Sequence, residues 1–200
     1  MKNIIFHIIN KYGYFGITFL IALENLIPPI PSEVILSFSG FISKNTDLSI
    51  FLIIIFATIG SLIGAIVLYY LAYFIGLNLL NFKFFKLCGL KKENTEKSMK
   101  HFQRNGYKSI FFGRFIPIIR SFISIPAGLS KMDIRLFLLL TWIGSFIWNT
   151  IFVIAGFILQ DNWDTLAIFF DKYSFFIFLI AIILYIIIKR HKSKKIITVS

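Results

Sequence analysis

The sequence predicts an all-α integral membrane protein with two inverted re-entrant helical hairpins, about three to four transmembrane helices and an N-terminal interfacial helix. Of the 200 residues, 58% are hydrophobic, whereas a soluble domain is usually about 45–50% apolar. Three tracts carry no charged residue, namely 48–82, 136–160 and 173–188. Two further segments, 13–42 and 109–130, combine apolar residues with proline and charge. We therefore expect broken helices beside ordinary spans.

A single membrane domain, residues 1–200, is expected to hold all of these elements. In chain order they are an interfacial helix over about the first dozen residues, a first re-entrant hairpin at about 13–42, a transmembrane helix at 48–76, a basic linker at 83–108, a second re-entrant hairpin at about 109–130, transmembrane helices at 136–160 and 173–188, and a basic tail at 189–200. The N-terminus has no clean apolar core followed by small residues, so no cleaved signal peptide is predicted.

Tract length decides where the spans end. A transmembrane helix needs roughly 20 apolar residues, with a range of about 17–25. The tract 136–160 fits this range, and 173–188 falls one residue short of it. As a helix the tract 48–82 would be about 50 Å long, which is too long for one straight span. We therefore expect that span to end near Gly76, with an interfacial portion after it.

Small and polar residues inside the spans predict helix packing. Gly60 and Gly64 form a GxxxG pair, which permits close approach of helices. The pair could serve ordinary packing between helices, or it could form the interface of a homo-oligomer. Asn149 and Gln160 are interpreted as hydrogen-bond donors between helices, with the lining of a pathway as the alternative. Asp133 is predicted to cap the start of the helix that follows it.

The net charge of +12 is concentrated between and after the apolar tracts. The linker 83–108 has eight Lys and Arg residues against Glu93 and Glu96, and the stretch 189–195 has five. Because Lys and Arg accumulate in cytoplasmic loops, the linker and the tail are predicted inside. The acidic connection 161–172 is predicted outside. This distribution argues against nucleic acid as a partner.

Catalytic motifs are missing from the sequence. The single cysteine, Cys88, excludes an intramolecular disulfide and a cysteine-based zinc cluster. The three histidines, at positions 7, 101 and 191, lack metal-ligand spacing, and no nucleophile motif, P-loop or dinucleotide fingerprint is present. We expect a protein that is not an enzyme and that holds no metal or cofactor. A proton or sodium gradient could serve as its source of energy.

The two broken segments share one layout. The first contains ENLIPPIPSEVILSFSG, residues 24–40, and the second is SIFFGRFIPIIRSFISIPAGLS, residues 109–130. Each follows a Gly-Tyr pair, presents charge, proline and charge again, and ends on a small residue and a glycine. The residues expected to break the helices are Pro28, Pro29, Pro31 and Gly40 in the first, and Pro117, Pro126 and Gly128 in the second. We interpret the segments as a degenerate internal repeat.

The predicted topology makes these repeats inverted. The first segment ends outside and the second begins after an inside linker, so two re-entrant hairpins would enter the membrane from opposite faces. Inverted repeats of transporters meet near the midplane of the bilayer. Broken backbone at that depth must be buried in protein or line a wet cavity. The proline-containing segments are therefore expected to meet at one site.

Four charged residues in the broken segments form the candidate functional site. Glu24 and Glu33 lie in the first segment, and Arg114 and Arg120 lie in the second. On a continuous helix the two glutamates would lie on opposite faces, whereas a hairpin can bring both toward one cavity. Arginine binds phosphate bidentately, and a glutamate at depth can exchange protons. We predict that the arginines bind a phosphate headgroup and that the glutamates couple to protons or act as countercharges.

Structural roles stay open for several of these charges. Arg114 and Glu24 could lie at the level of the headgroups, because arginine reaches the interface easily. Arg120 fits that position less well, since apolar stretches flank it on both sides. Glu33 could serve as a partner or a cap of the helix that restarts after Pro31.

The motifs that carry these charges resemble the DedA family of bacterial membrane proteins, within the wider group that has the SNARE-associated, or VTT, domain. The resemblance rests on E-N-x-x-P-P-x-P-S-E at 24–33 and on F-x-G-R-F-x-P-x-x-R, ending in Ala-Gly, at 111–128. Gly144-Ser145-x-x-Trp148 and Gly156 are similar to the C-terminal half of the family. The likeness covers about residues 10–190.

The resemblance implies inverted re-entrant hairpins, a position in the bacterial inner (cytoplasmic) membrane and transport of lipid phosphates, notably the recycling of undecaprenyl phosphate, with proton coupling proposed. The functional acids of the family correspond to Glu24 and Glu33, and its arginines to Arg114 and Arg120. Some members have an aspartate after Pro-Gly where this chain has Ser32-Glu33.

The leading hypothesis is therefore a lipid-phosphate transporter, or flippase, for undecaprenyl phosphate or a related phospholipid. Its partners would be membrane lipids. One alternative is an exchanger of small cations or drugs against protons, in which the glutamates bind the cation. Another is a membrane scaffold for envelope assembly that transports nothing, in which the buried charges only hold the hairpins together.

Overall fold

The computed structural model describes residues 2–26, 31–76, 102, 106–117 and 119–158, all within one unit of the chain, Met1–Ile158. Regular secondary structure in these residues is helical throughout. The helices are α1 (Lys2–Leu26), α2 (Ser32–Ser43), α3 (Ile50–Ile75), α4 (106–113), α5 (Ile119–Phe122), α6 (Ser124–Leu129) and α7 (Ile134–Ile158). The prediction of an all-helical membrane protein is confirmed for this part of the chain. Most of the linker 83–108, the span predicted at 173–188 and the tail 189–200 lie outside the described residues.

Three of the described helices are long and apolar enough to cross a membrane, namely Ile5–Leu26 within α1, Ile50–Ile75 and Ile134–Ile158. The last two occupy the tracts for which the sequence predicts spans. The first differs from the expectation, since the chain continues as helix from the N-terminal stretch to Leu26 with one interruption. That interruption is Gly13, whose φ of 55° and ψ of −128° are open to glycine. The interfacial position of the residues before it stays a prediction.

The first broken segment is divided between α1 and α2. Pro28 and Pro29 lie outside the described residues. Pro31 is extended, with φ −72° and ψ 116°, and directly precedes the first helical residue of α2. Proline fits there because the first N–H groups of a helix have no intrahelical acceptor. The re-entrant course of this segment stays a prediction.

The second broken segment is divided into shorter pieces. α4 ends at Gly113, turns follow, and α5 begins beyond Pro117, which has no N–H to continue a helix. Contrary to expectation, Pro126 marks no break. It lies in the first turn of α6, where proline is tolerated, and the interruption falls at Ile123.

Gly40 and Gly128 were expected to break the helices, and this prediction is wrong. Gly40 lies within α2 and Gly128 within α6. A Cβ atom at Gly40 would overlap the carbonyl oxygen of Val153 on α7, and one at Gly128 would overlap that of Tyr69 on α3. These glycines therefore permit two helices to touch at the level of the backbone.

The long helices α3 and α7 form the centre of the described unit. α3 packs against α1, α6 and α7, and α7 packs against α2 as well. The GxxxG pair of α3 faces α1, since a Cβ at Gly60 would lie 2.5 Å from the carbonyl oxygen of Thr18 and one at Gly64 would lie 2.6 Å from Cβ of Asn25. The pair thus serves packing within the chain, and the homo-oligomer stays a prediction.

Large apolar side chains cover much of the outer surface of these helices. Phe15 on α1, Phe51 and Phe74 on α3 and Ile158 on α7 are each more than half exposed. A soluble protein rarely exposes so many large apolar side chains, whereas a bilayer solvates them. The side chains of Glu24, Arg114, Arg120 and Asn149 are buried instead.

Candidate functional site

An ion pair joins the two broken segments. Nη2 of Arg120, on α5, lies 3.2 Å from Oε2 of Glu24, near the end of α1. Ser121 donates a second hydrogen bond to the other carboxylate oxygen, also at 3.2 Å. The side chains of Arg120 and Glu24 are only 4% and 6% exposed. Residues 96 positions apart therefore share one buried, charge-assisted contact.

Arg120 also lies against an aromatic ring of α7. Its guanidinium carbon is 5.6 Å from the centre of the Trp148 ring, within the usual range of a cation–π contact. Nε1 of Trp148 is buried and has no hydrogen-bond partner within the described ranges. Arg120 is therefore held between a carboxylate and an indole.

Arg114 has different neighbours. The residue is 2% exposed and follows the last residue of α4. Its Nη2 donates to Oγ of Ser124, on α6, and to Oγ1 of Thr141, on α7, both at 3.2 Å. Its Nε and Nη1 are buried and have no hydrogen-bond partner among the described residues. A buried donor left without an acceptor costs about 1–3 kcal/mol, and more when the group is charged.

Glu33 lies in the first turn of α2 and is partly exposed. Within the described residues it forms no ion pair. A carboxylate in the first turn of a helix is stabilised by the helix dipole. The interpretation of Glu33 as a partner at the helix start fits this position, and its role in transport stays a prediction.

Two of the four predicted residues, Glu24 and Arg120, are in direct contact. Arg114 contacts Ser124 and Thr141 instead, and Glu33 forms no ion pair among the described residues. Three of the four are buried, which makes a buried set of two arginines and one glutamate. The net charge of that buried set is positive when Glu24 is ionised, so the arrangement favours an anionic ligand.

The sequence alone assigned no role to the neutral side chains that contact these charges. They are Ser121, Ser124, Thr141 and Trp148, of which only Trp148 stands in a motif of the family resemblance. The two serines stand in the run RSFIS beside Arg120, where small polar residues inside an apolar stretch are a weak signal. Thr141 carries no signal at all, since a lone threonine is ordinary in a transmembrane helix.

A second buried polar contact lies between the two central helices. Nδ2 of Asn149, on α7, donates to Oγ1 of Thr58 at 3.2 Å and to Oγ of Ser61 at 3.5 Å, both on α3. The interpretation of Asn149 as a packing donor is confirmed. The capping role of Asp133 is also confirmed, because its Oδ1 accepts the backbone N–H groups of Arg135 and Leu136 at 2.9 and 3.0 Å.

Among the residues that the structure describes, no three His, Cys, Asp or Glu side chains are grouped so that they could hold a metal ion. The chemistry that the described site offers is therefore that of its guanidinium groups, carboxylates and hydroxyls. These groups can bind an anion and exchange a proton.

Comparison with known proteins adds a family. The VTT domain matches residues 30–158. The chain is 46% identical to an alkaline phosphatase-like protein of Lactococcus lactis over 191 residues, which cover 94% of this chain and 89% of that protein. It is 36% identical to undecaprenyl phosphate transporter A of Staphylococcus aureus over 92% of both chains. It is 26% identical to protein DedA of Escherichia coli over 80% of this chain and 79% of that one. No solved structure matches the chain.

Proposed function

The chain belongs to the VTT-domain family that includes the DedA membrane proteins, and we propose that it carries a lipid phosphate across the bacterial cytoplasmic membrane. The substrate would be undecaprenyl phosphate or a related phospholipid, and the movement would be coupled to protons. The relative from Staphylococcus aureus is named for transport of undecaprenyl phosphate, which favours this substrate.

One observation carries the proposal, namely the buried cluster of Glu24, Arg120 and Arg114 where the two broken segments meet. A charge at the centre of a bilayer costs about 2.5–3.5 kcal/mol on insertion scales, so charged residues there usually serve function. Guanidinium groups match the geometry of phosphate. A pathway for a phosphate headgroup would account for both arginines.

In this mechanism Arg114 and Arg120 bind the phosphate, and Glu24 competes with it for Arg120. Arrival of the headgroup would replace the Glu24–Arg120 contact, and a proton would neutralise the released carboxylate. Glu33, at the start of α2, would act as a second countercharge or proton acceptor. The apolar tail of the lipid would remain in the bilayer beside the exposed aromatic side chains.

The test is translocation of labelled undecaprenyl phosphate in proteoliposomes that contain the full-length protein. We expect Arg120→Lys and Glu24→Gln each to slow translocation at least about tenfold, which corresponds to ~1.4 kcal/mol in the barrier. Arg135→Gln is the matched control, because Arg135 is an exposed arginine outside the cluster. Normal rates for both cluster variants would reject the mechanism.

The same vesicles test a phosphatase activity, which the name of the Lactococcus lactis relative raises. Inorganic phosphate is measured after incubation with undecaprenyl phosphate. Transport predicts that the lipid crosses the bilayer with its phosphate attached. Release of phosphate at the rate at which lipid disappears would identify an enzyme instead.

A scaffold is the second candidate, and the Glu24–Arg120 ion pair itself favours it, since that contact joins the two segments. In a scaffold the charges only hold the segments together, so exchanging them should preserve function. The double variant Glu24→Arg with Arg120→Glu separates the candidates in cells that depend on this protein. Restored growth would favour the scaffold, whereas transport predicts continued loss.

A further inference from the structure

Arg120 is occupied by groups of the protein itself. The carboxylate of Glu24 lies 3.2 Å from its Nη2, and the ring centre of Trp148 lies 5.6 Å from its guanidinium carbon. Ser121 donates a hydrogen bond to the other oxygen of that carboxylate. An incoming anion would therefore have to compete with the carboxylate of Glu24 for Arg120.

Arg114 is buried to the same degree and has no such countercharge. Its Nη2 meets only hydroxyl oxygens, those of Ser124 and Thr141, each at 3.2 Å. No described carboxylate lies within ion-pair distance of it. Its other two nitrogens, Nε and Nη1, are buried and have no hydrogen-bond partner in the part of the chain that the structure describes. Among the described residues, this arginine therefore has no ion-pair partner, and two of its donor nitrogens have no acceptor.

The hydroxyl partners explain how the position of Arg114 can be fixed while its charge stays available. A carboxylate would orient a guanidinium equally well, but it would also neutralise it. A neutral hydroxyl accepts one hydrogen bond and leaves the charge uncompensated. Ser124 begins α6 and Thr141 lies on α7, so the two contacts attach Arg114 to two separate helices. A buried cation is costly unless it is paired, so an anionic ligand bound here would supply the countercharge that the described residues lack.

We propose that Arg114 is the first binding position of the phosphate, that Ser124 and Thr141 are positioning residues which orient it, and that Arg120 is withheld by Glu24 until the phosphate is already bound. This inference deepens the proposed function and rests on it. It assigns different roles to Arg114 and Arg120, which the sequence alone does not distinguish.

The experiment measures binding separately from transport. Full-length protein in detergent is titrated with farnesyl phosphate, a short prenyl monophosphate, and in parallel with inorganic phosphate and with farnesol. Binding of both phosphates would identify the phosphate group as the recognised part. Binding of farnesyl phosphate alone would still support a headgroup site, provided that farnesol does not bind.

We expect Arg114→Gln to weaken farnesyl phosphate binding at least about tenfold more than Arg120→Gln does, a difference of ~1.4 kcal/mol. Thr141→Val removes the hydroxyl at nearly constant volume and should weaken binding about tenfold. Thr141→Ser restores the hydroxyl and should restore the affinity. This rescue separates positioning from a merely structural effect, and it does not depend on whether Arg114→Gln folds. Arg135→Gln serves as the unaffected control.

The proposal is overturned if Arg120 and Arg114 variants weaken binding equally, or if Thr141→Val binds as tightly as the wild-type protein. The proposed function fails in a different way. If phosphate binds through Arg114 but no lipid crosses the bilayer in proteoliposomes, transport is rejected and the assignment of the first binding position is supported.

Discussion

The acidic segment, α1 and α2, and the basic segment, α4 to α6, make matching contacts with the rest of the chain. The last helix of each lies on the long helix that follows the other segment, α2 on α7 at Gly40 and α6 on α3 at Gly128. The first helix of each meets the long helix of its own half, α1 at Gly60 and the end of α4 at Gly144. Such reciprocal packing is expected of an internal repeat.

The two segments differ in how they hold charge. The acidic segment buries one carboxylate, that of Glu24, and leaves Glu33 partly exposed. The basic segment buries both of its arginines, and only Arg120 has an ion-pair partner among the described residues. The two segments therefore pack in a similar way but bury different numbers of charged side chains. Repeated architecture provides the framework, and the imbalance within it favours an anionic ligand.

The largest effect is expected from removing the Glu24–Arg120 contact, which joins the two segments. Glu24→Ala leaves Arg120 buried and unpaired, and we expect a loss of about 3–5 kcal/mol in the free energy of unfolding. Thermal unfolding in detergent, followed by tryptophan fluorescence, measures the loss. The double variant Glu24→Ala with Arg120→Ala leaves neither charge and should be less destabilised than the sum of the single variants. Additive losses would mean that the pair is not coupled.

Matching glycines provide the next test. Gly40→Ala and Gly128→Ala each place a Cβ against a backbone carbonyl of a long helix, and we expect each to cost about 1–3 kcal/mol in the free energy of unfolding. Gly113→Ala is the control, because its Cβ would meet side-chain atoms of Ile123 and Ile119 at 3.2–3.5 Å. If only one of the first two variants is unstable, the packing of the halves is not equivalent.

The smallest expected effect compares the acids at two helix starts. Asp133 accepts two backbone hydrogen bonds at the start of α7, and its replacement by alanine should cost about 1 kcal/mol. Glu33→Ala should cost only about 0.3–1 kcal/mol, as expected of a carboxylate that acts through the helix dipole. Unfolding of the two variants under identical conditions measures the difference. A larger loss for Glu33→Ala would indicate a stronger contact at α2.

Much of the fold follows from local physical chemistry. The apolar tracts around α3 and α7 are long enough to span a bilayer, and Pro31 and Pro117 cannot continue a helix that precedes them. The free-energy cost of burying a charge singles out Glu24, Arg114 and Arg120 as candidate functional residues. The glycines were misjudged because a glycine that permits a bend and a glycine that permits close packing are identical in a sequence.

The sequence by itself determined the membrane class, the breaks at Pro31 and Pro117 and the three charges that are buried, because hydrophobic length, the missing proline N–H and the cost of buried charge are properties of local residues. Only the tertiary structure decided that Glu24 pairs with Arg120, and that Arg114 meets Ser124 and Thr141. Those contacts join separate helices. Their geometry depends on how the helices pack, and no local pattern records it.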